Sequence, residues 1–286
     1  MERAAIFTVI FPGNLPFFND YLDSLCNQTE KHFDLILLTD SVGDIESWLR
    51  PYRDRVSIQI YPVSGTIASV REVGVEILRK LQHPYVIFSD TDDIFSNDRV
   101  AKCCEHLASF PVVVNDLSPF SHAEDRSGVG YWDKRLEDGH IFSVTDIERY
   151  NFVGLGNTSV RREVLEEFKI PQQLKAIDWF LFYRWLQERE GVFTKTGKMF
   201  YRQHVNNQVG LHRINEQRLR AILITKIEHY KNLSSLFPHL YSLMEETERK
   251  LNRINSDKAF LERKLQDINN NTINYFWWEE TEYIHE

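Results

Sequence analysis

The chain has 286 residues, 42% of them hydrophobic and 27% charged, with a formal net charge of -8. That length can bury a sizeable core, as one large α/β domain or as a domain with an appendage. The acidic balance excludes a dedicated nucleic-acid binder, which needs a basic face against phosphate, and Cys26, Cys103 and Cys104 form no CxxC pair, so a reducing, cytoplasmic setting is expected.

The first apolar run, residues 4–11, is too short to cross a bilayer, and no later run approaches transmembrane length. Residues 6–11, 33–39, 56–61 and 85–89 read as strands. Between the third and fourth, Val70, Val73, Ile77, Leu78 and Leu81 recur at helical spacing, and Phe18, Tyr21, Leu22 and Leu25 form a similar face earlier. Strands alternating with amphipathic helices predict an α/β fold with a mostly parallel sheet flanked by helices. In such sheets ligands bind beyond the carboxyl ends of the strands, where Asp40 and Asp90 fall.

Residues 115–139, rich in Ser, Asp and Gly without a clear period, are expected to form loops or irregular strands, with room for loops over an acceptor site. Trp179, Phe182, Tyr183 and Leu186 then mark a buried helix that starts close to Asp178 and ends before Gly191. The chain is divided into a domain over residues 1–212 and a helical C-terminal extension over 213–286. In the extension Leu240, Met244, Thr247, Leu251, Ile254, Lys258, Leu261, Leu265 and Ile268 follow the seam of a coiled coil. The seam fits a homodimer through this helix and packing of the helix on the first domain equally well, and the aromatic tail at residues 273–278 is expected to dock against the first domain. Acidic neighbours of the tail, Glu279, Glu280 and Glu282, weigh against insertion among anionic lipids.

The strongest chemical signal is Val86-Ile87-Phe88-Ser89-Asp90-Thr91-Asp92-Asp93, a buried strand that delivers carboxylates to its end. Hard oxygen donors suit Mg2+ or Mn2+, which take a few carboxylates together with the phosphate oxygens of a nucleotide. An aspartate-rich turn capping the next helix has the same composition. The chain lacks GxxxxGK[ST], GxSxG, HExxH and a GxGxxG after the first strand, which removes the P-loop, serine hydrolase, zinc protease and dinucleotide-reductase readings.

Over most of residues 4–210 the chain resembles the family 2 glycosyltransferases of GT-A fold. The resemblance lies in Phe7-Thr8-Val9-Ile10-Phe11-Pro12, in Ser24-Leu25-Cys26-Asn27-Gln28-Thr29, and in the strand ending Thr39-Asp40-Ser41. It continues in Ser69-Val70-Arg71-Glu72-Val73-Gly74, in Asp90-Thr91-Asp92, in Gly156-Asn157-Thr158-Ser159, in Ile177-Asp178-Trp179 and in Tyr201-Arg202-Gln203-His204. Glu72 stands where the family often has asparagine, and Ile177-Asp178 where it often has two acids.

The resemblance implies a metal-dependent transfer of a sugar from a nucleotide-diphosphate donor to an acceptor hydroxyl on a glycan, a lipid-linked molecule or a protein. By the same resemblance Pro12, Asp40, Arg71, Asp90 and Arg202 would face the donor, while Asp90, Asp92 and His204 would contact Mn2+ or Mg2+. Asp178 would be the general base of an inverting reaction, a role that suits a carboxylate within reach of the acceptor hydroxyl. Such an enzyme would work in the cytoplasm, meeting the inner face of a membrane only through its acceptor. Two other readings compete. A nucleotidyltransferase would need a glycine-rich basic loop that Phe11-Pro12-Gly13-Asn14 does not supply, and a non-catalytic scaffold of the same fold would bind no nucleotide with metal.

Overall fold

The structure, a computed structural model, describes residues 2–121, 128–203, 213–270 and 278–284. Its described residues fall into two units, one of Met1–Val144, Val153–Gln172 and Trp185–Gln203, the other of Thr145–Phe152, Gln173–Arg184 and His204–Glu286.

The first unit is built on one mixed sheet. Its strands are β1 (Ala4–Ile10), β2 (Phe33–Asp40), β3 (Ser57–Val63), β4 (Tyr85–Phe88), β5 (Ile94–Phe95), β6 (Val112–Phe120), β7 (Ile141–Phe142), β8 (Thr158–Arg161) and β9 (Gly191–Arg202). The order is β3-β2-β1-β4-β8-β6-β9-β5, with β7 beside β9. The four strands β3, β2, β1 and β4 pair in parallel, whereas β8 runs antiparallel to both β4 and β6. β1 is buried at every residue and β2 at all but its last, the near-continuous apolar pattern of strands covered on both faces. α1 (Phe18–Cys26) lays Phe18, Tyr21, Leu22 and Leu25 on Ile6, Leu35, Leu37 and Ile87, as the sequence periodicity predicts. α2 (Ile45–Leu49), α3 (Ile67–Lys80) and α4 (Arg99–Leu107) complete this unit.

α3 starts at Thr66, whose hydroxyl accepts the Ser69 amide, and ends with Arg79 and Lys80 at the negative end of its dipole. Its buried face differs from the predicted one, because Val73 is exposed while Gly74 and Val75 are buried. Gly74 explains the rotation: a Cβ there would sit 2.4 Å from Cζ of Phe7, so glycine lets the helix lie directly on β1. In the stretch 115–139, read as loops or irregular strands, Asn115 to Phe120 belong to β6. This half of β6 pairs with β9 beyond an irregularity at Asn115/Leu117, and the irregular register hides its alternation in the sequence.

In the second unit, α5 (Ile177–Trp185), whose last residue belongs to the first unit, carries Asp178 in its first turn. α6 (Glu216–Ser234), α7 (Leu240–Ser256) and α8 (Lys258–Asn270) follow. The expected single seam helix is broken at Asp257, which leaves helical geometry and caps α8 by accepting the Phe260 amide at 2.9 Å. Seam residues Ile254, Leu261 and Ile268 are buried with Leu219, Ile222 and Leu223 of α6, so the seam meets a helix of its own chain. Of the aromatic tail only Trp278 is described, and it packs on this same helical cluster; Tyr275, Phe276 and Trp277 lie outside the described residues. Lys226 of α6 fastens the following turn by donating to Thr281 Oγ1 at 2.8 Å and Glu282 Oε1 at 2.6 Å. Among the described residues no helix is long and apolar enough to cross a membrane.

Candidate active site

Because β1, β2 and β4 run parallel, their carboxyl ends open on one edge of the sheet, and the acidic turn leaves from the last of them. Ser89 anchors its start: the amide donates to Phe7 O at 3.0 Å, the hydroxyl meets Tyr21 Oη at 2.7 Å, and the carbonyl accepts Thr8 Oγ1 at 2.9 Å. Residues Thr91 to Asp93 then turn, with the Asp93 amide donating to Asp90 O at 3.3 Å. The loop after β1 holds the outer side of this turn. There a 3-10 helix, Pro12–Phe17, brings Asn14 to donate to Thr91 Oγ1 at 3.1 Å and to Asp92 Oδ1 at 3.2 Å.

Arg202, at the end of β9, holds the other side. Its amide donates to Asp93 Oδ1 at 2.8 Å, its Nε to Asp92 O at 2.8 Å and its Nη2 to Asp20 Oδ2 at 2.7 Å. The rings of Phe17 and Phe120 lie 4.9 Å and 4.7 Å from its guanidinium carbon. This arginine, expected to face the donor, is therefore also a clamp on the turn. Arg71 of α3 reaches the acidic group directly, with Nη2 3.7 Å from Asp90 Oδ1.

The inner side of the turn is tightly closed. Gly156 leaves no room for a side chain, because a Cβ would fall 2.7 Å from Asp90 Oδ2 and 3.5 Å from Asp93 Oδ2. Asp93 is buried, and among the described residues its Oδ2 has no hydrogen-bond partner. Burial, reinforced by the neighbouring charges of Asp92 and Asp90, pushes its carboxyl well above the usual carboxylate range. Below it lies Arg99, also buried, whose Nη2 donates to Phe88 O at 3.2 Å and Gly156 O at 2.9 Å.

Asp40 closes β2, and the hydroxyl of Ser41, a residue at φ 56°, donates to its Oδ1 at 3.0 Å. Pro12 opens the 3-10 helix that carries Asn14. The structure thus brings Asp90, Asp92, Arg71 and Arg202 together, and sets Pro12 and Asp40 at the ends of adjacent strands on the same edge. Asp178 is half-buried in the second unit, and His204 lies outside the described residues. Sequence reasoning passed over Asn14, Asp20, Asp93 and Arg99. Asn14 follows Pro12 by two residues and Asp93 follows Asp92 directly, so their positions gave the available hint.

Among the described residues no three His, Cys, Asp or Glu side chains form a complete metal site. A cation held by one or two carboxylates and by donor phosphates needs no such set. Asp90 and Asp92 supply the right oxygen chemistry, and beside them Oδ2 of the buried Asp93 has no hydrogen-bond partner among the described residues. The residues fit Mn2+ or Mg2+.

No family profile matches the chain. Among curated proteins it is similar to the dTDP-rhamnosyl transferase RfbG of Shigella flexneri, with 28% identity over 160 residues, 49% of this chain. The match spans 48% of the length of that relative. Among solved structures, S. aureus TarS 1-349 superposes with a TM-score of 0.57 at 14% identity, covering 94% of this chain and 78% of that one. The same protein in complex with UDP gives 0.59 at 14% identity, with the same coverage. The mannosyltransferase PcManGT from Pyrobaculum calidifontis, in complex with GDP-Man and Mn2+, gives 0.53 at 12% identity over 87% of this chain and 70% of that one. The chain has the fold of the GT-A glycosyltransferases. In this GT-A fold, the acidic turn after β4 occupies the strand-end edge at which an α/β sheet places its ligand.

Proposed function

We propose that this protein transfers a sugar from a nucleotide-diphosphate donor to an acceptor hydroxyl, with a divalent metal at Asp90 and Asp92. The observation that carries the reading is the approach of Arg71 to Asp90 on the turn that Asn14 and Arg202 fasten at the strand ends. A diphosphate needs both kinds of group, a cation held by carboxylates and a guanidinium that donates to phosphate oxygens. When bound, Mn2+ or Mg2+ would neutralise charge on the departing diphosphate.

The chain's own residues would do the rest. Asp40 and Pro12, at the ends of β2 and β1, would receive the nucleoside, and Arg71 would orient the diphosphate. Arg202 would keep the carboxylates in place through Asp92 O and the Asp93 side chain. Asp178 would take the proton from the acceptor hydroxyl, leading to inversion at the sugar carbon. His204 would add a contact to the metal, as the family resemblance implies.

The test is a screen of nucleotide sugars for Mn2+-dependent donor hydrolysis, with dTDP-rhamnose, UDP-GlcNAc and GDP-mannose first because the similar proteins are named for or bound to such donors. One donor should be hydrolysed with Mn2+ and spared when EDTA is added. Hydrolysis that persists in EDTA would remove the metal from the proposal, and inertness toward every donor together with failure to bind UDP, GDP or dTDP would leave a scaffold.

A further inference from the structure

Arg99 is among the largest fully buried side chains of the chain, and its guanidinium touches three pieces of backbone or ring around the acidic turn. Nη2 donates to the carbonyl of Phe88, the last residue before the turn sequence, and to that of Gly156, whose Cα packs against the carboxylates of Asp90 and Asp93. The guanidinium carbon lies 4.1 Å from the ring centre of Phe95, which follows the turn in β5. Among the described residues Nε and Nη1 have no hydrogen-bond partner, an expensive state for a buried ion.

We propose that Arg99 is a positioning residue for the divalent cation, bracing the start, the end and the inner wall of the acidic turn so that Asp90 and Asp92 stay preorganised for metal. Like charges gathered on one turn tend to splay. A planar cation bonded to both Phe88 O and Gly156 O and lying on Phe95 opposes that from beneath, where water cannot screen it. The inference rests on the metal-dependent reading of this site.

The experiment measures Mn2+ uptake by electron paramagnetic resonance in the presence of UDP, GDP or dTDP, for the full chain and for Arg99→Lys and Arg99→Met. Lysine keeps the charge but cannot bridge both carbonyls in a plane. Uptake by folded Arg99→Lys should be weaker by about tenfold to a hundredfold, the cost typical of losing a group that supports a metal ligand, with occupancy regained at excess Mn2+. Arg99→Met should be weaker still; if it does not fold, Arg99→Lys decides. A lower melting temperature with unchanged Mn2+ affinity would show a role in folding alone and overturn the proposal. A wild-type chain that takes up no Mn2+ with any of the three nucleotides would overturn the reading of the site and this inference with it, whereas wild-type uptake matched by both variants overturns the inference only.

Discussion

Nη2 of Arg71 lies 3.7 Å from Oδ1 of Asp90, a separation longer than a direct hydrogen bond. Both side chains retain some solvent access, 18% and 39%. If Arg71 serves the donor diphosphate, Arg71→Met removes a charge-assisted hydrogen bond worth about 2 kcal/mol, or roughly thirtyfold. The expected result is a donor KM raised by that order, with the protein's melting temperature unchanged. A wild-type KM in the variant would place Arg71 outside the donor site.

Asn14 and Asp92 separate fastening from ligation. Asp92→Asn should lower transfer by about a hundredfold or more, since a ligand matters at least as much as the groups that support it, and the fold should persist. Asn14→Ala removes donors to Thr91 Oγ1 and Asp92 Oδ1. It should cost about 1–3 kcal/mol of stability and raise the Mn2+ concentration needed for half-maximal rate, with activity returning at high Mn2+. Loss of activity in Asn14→Ala that metal does not restore would argue that Asn14 contacts substrate.

The parallel half of the sheet was legible because its strands are buried on both faces and write themselves as unbroken apolar runs, as in β1 and β2. β6 was only partly so, because Asn115, Asp116 and Ser118 are buried polar residues, and composition alone leaves a loop and an irregular strand equally open. Asp90 and Arg71 could be named from their motif, yet their proximity joins β4 to α3 and exists only in three dimensions. Arg99 was illegible for a related reason: arginine in the first turn of a helix normally faces solvent, and burial here follows from its bonds to Phe88 and Gly156, far apart in sequence. The helical seam was seen, but its partner, α6, could not be inferred from spacing that serves a neighbouring helix and a second chain equally well.

His229 of α6 gives a prediction about pH. It is fully buried, stacks on Trp179 with ring centres 3.9 Å apart, and among the described residues neither ring nitrogen has a hydrogen-bond partner. Burial, with Lys226 nearby, depresses its pKa well below the ordinary histidine value. The unfolded chain therefore binds a proton below about pH 6.5 that the folded chain refuses, so stability is lost as pH falls through that value, by about 1.4 kcal/mol per unit. Hydrogen exchange in α6, corrected for intrinsic rates, should show protection falling between pH 7 and pH 5.5, and His229→Phe should flatten that slope. An equal slope in the variant would assign the effect to other groups.

Asp178 carries the last prediction. It lies in the first turn of α5, where a carboxylate is favoured by the helix dipole whether or not it does chemistry. Stability alone therefore cannot reveal its role, and the informative quantity is the partition of the donated sugar between acceptor and water. As the base, Asp178 acts on the acceptor hydroxyl and leaves nucleotide binding alone, so Asp178→Asn should keep the donor KM and the Mn2+ requirement while transfer falls by about a hundredfold or more. An amide is close in size to the carboxylate, so the variant should melt near the wild-type temperature. Once a donor and an acceptor are in hand, the ratio of transfer to hydrolysis can be followed by separating nucleotide release from glycosylated product. If that ratio is unchanged in Asp178→Asn, the base is another residue; if donor KM rises instead, Asp178 belongs to donor binding.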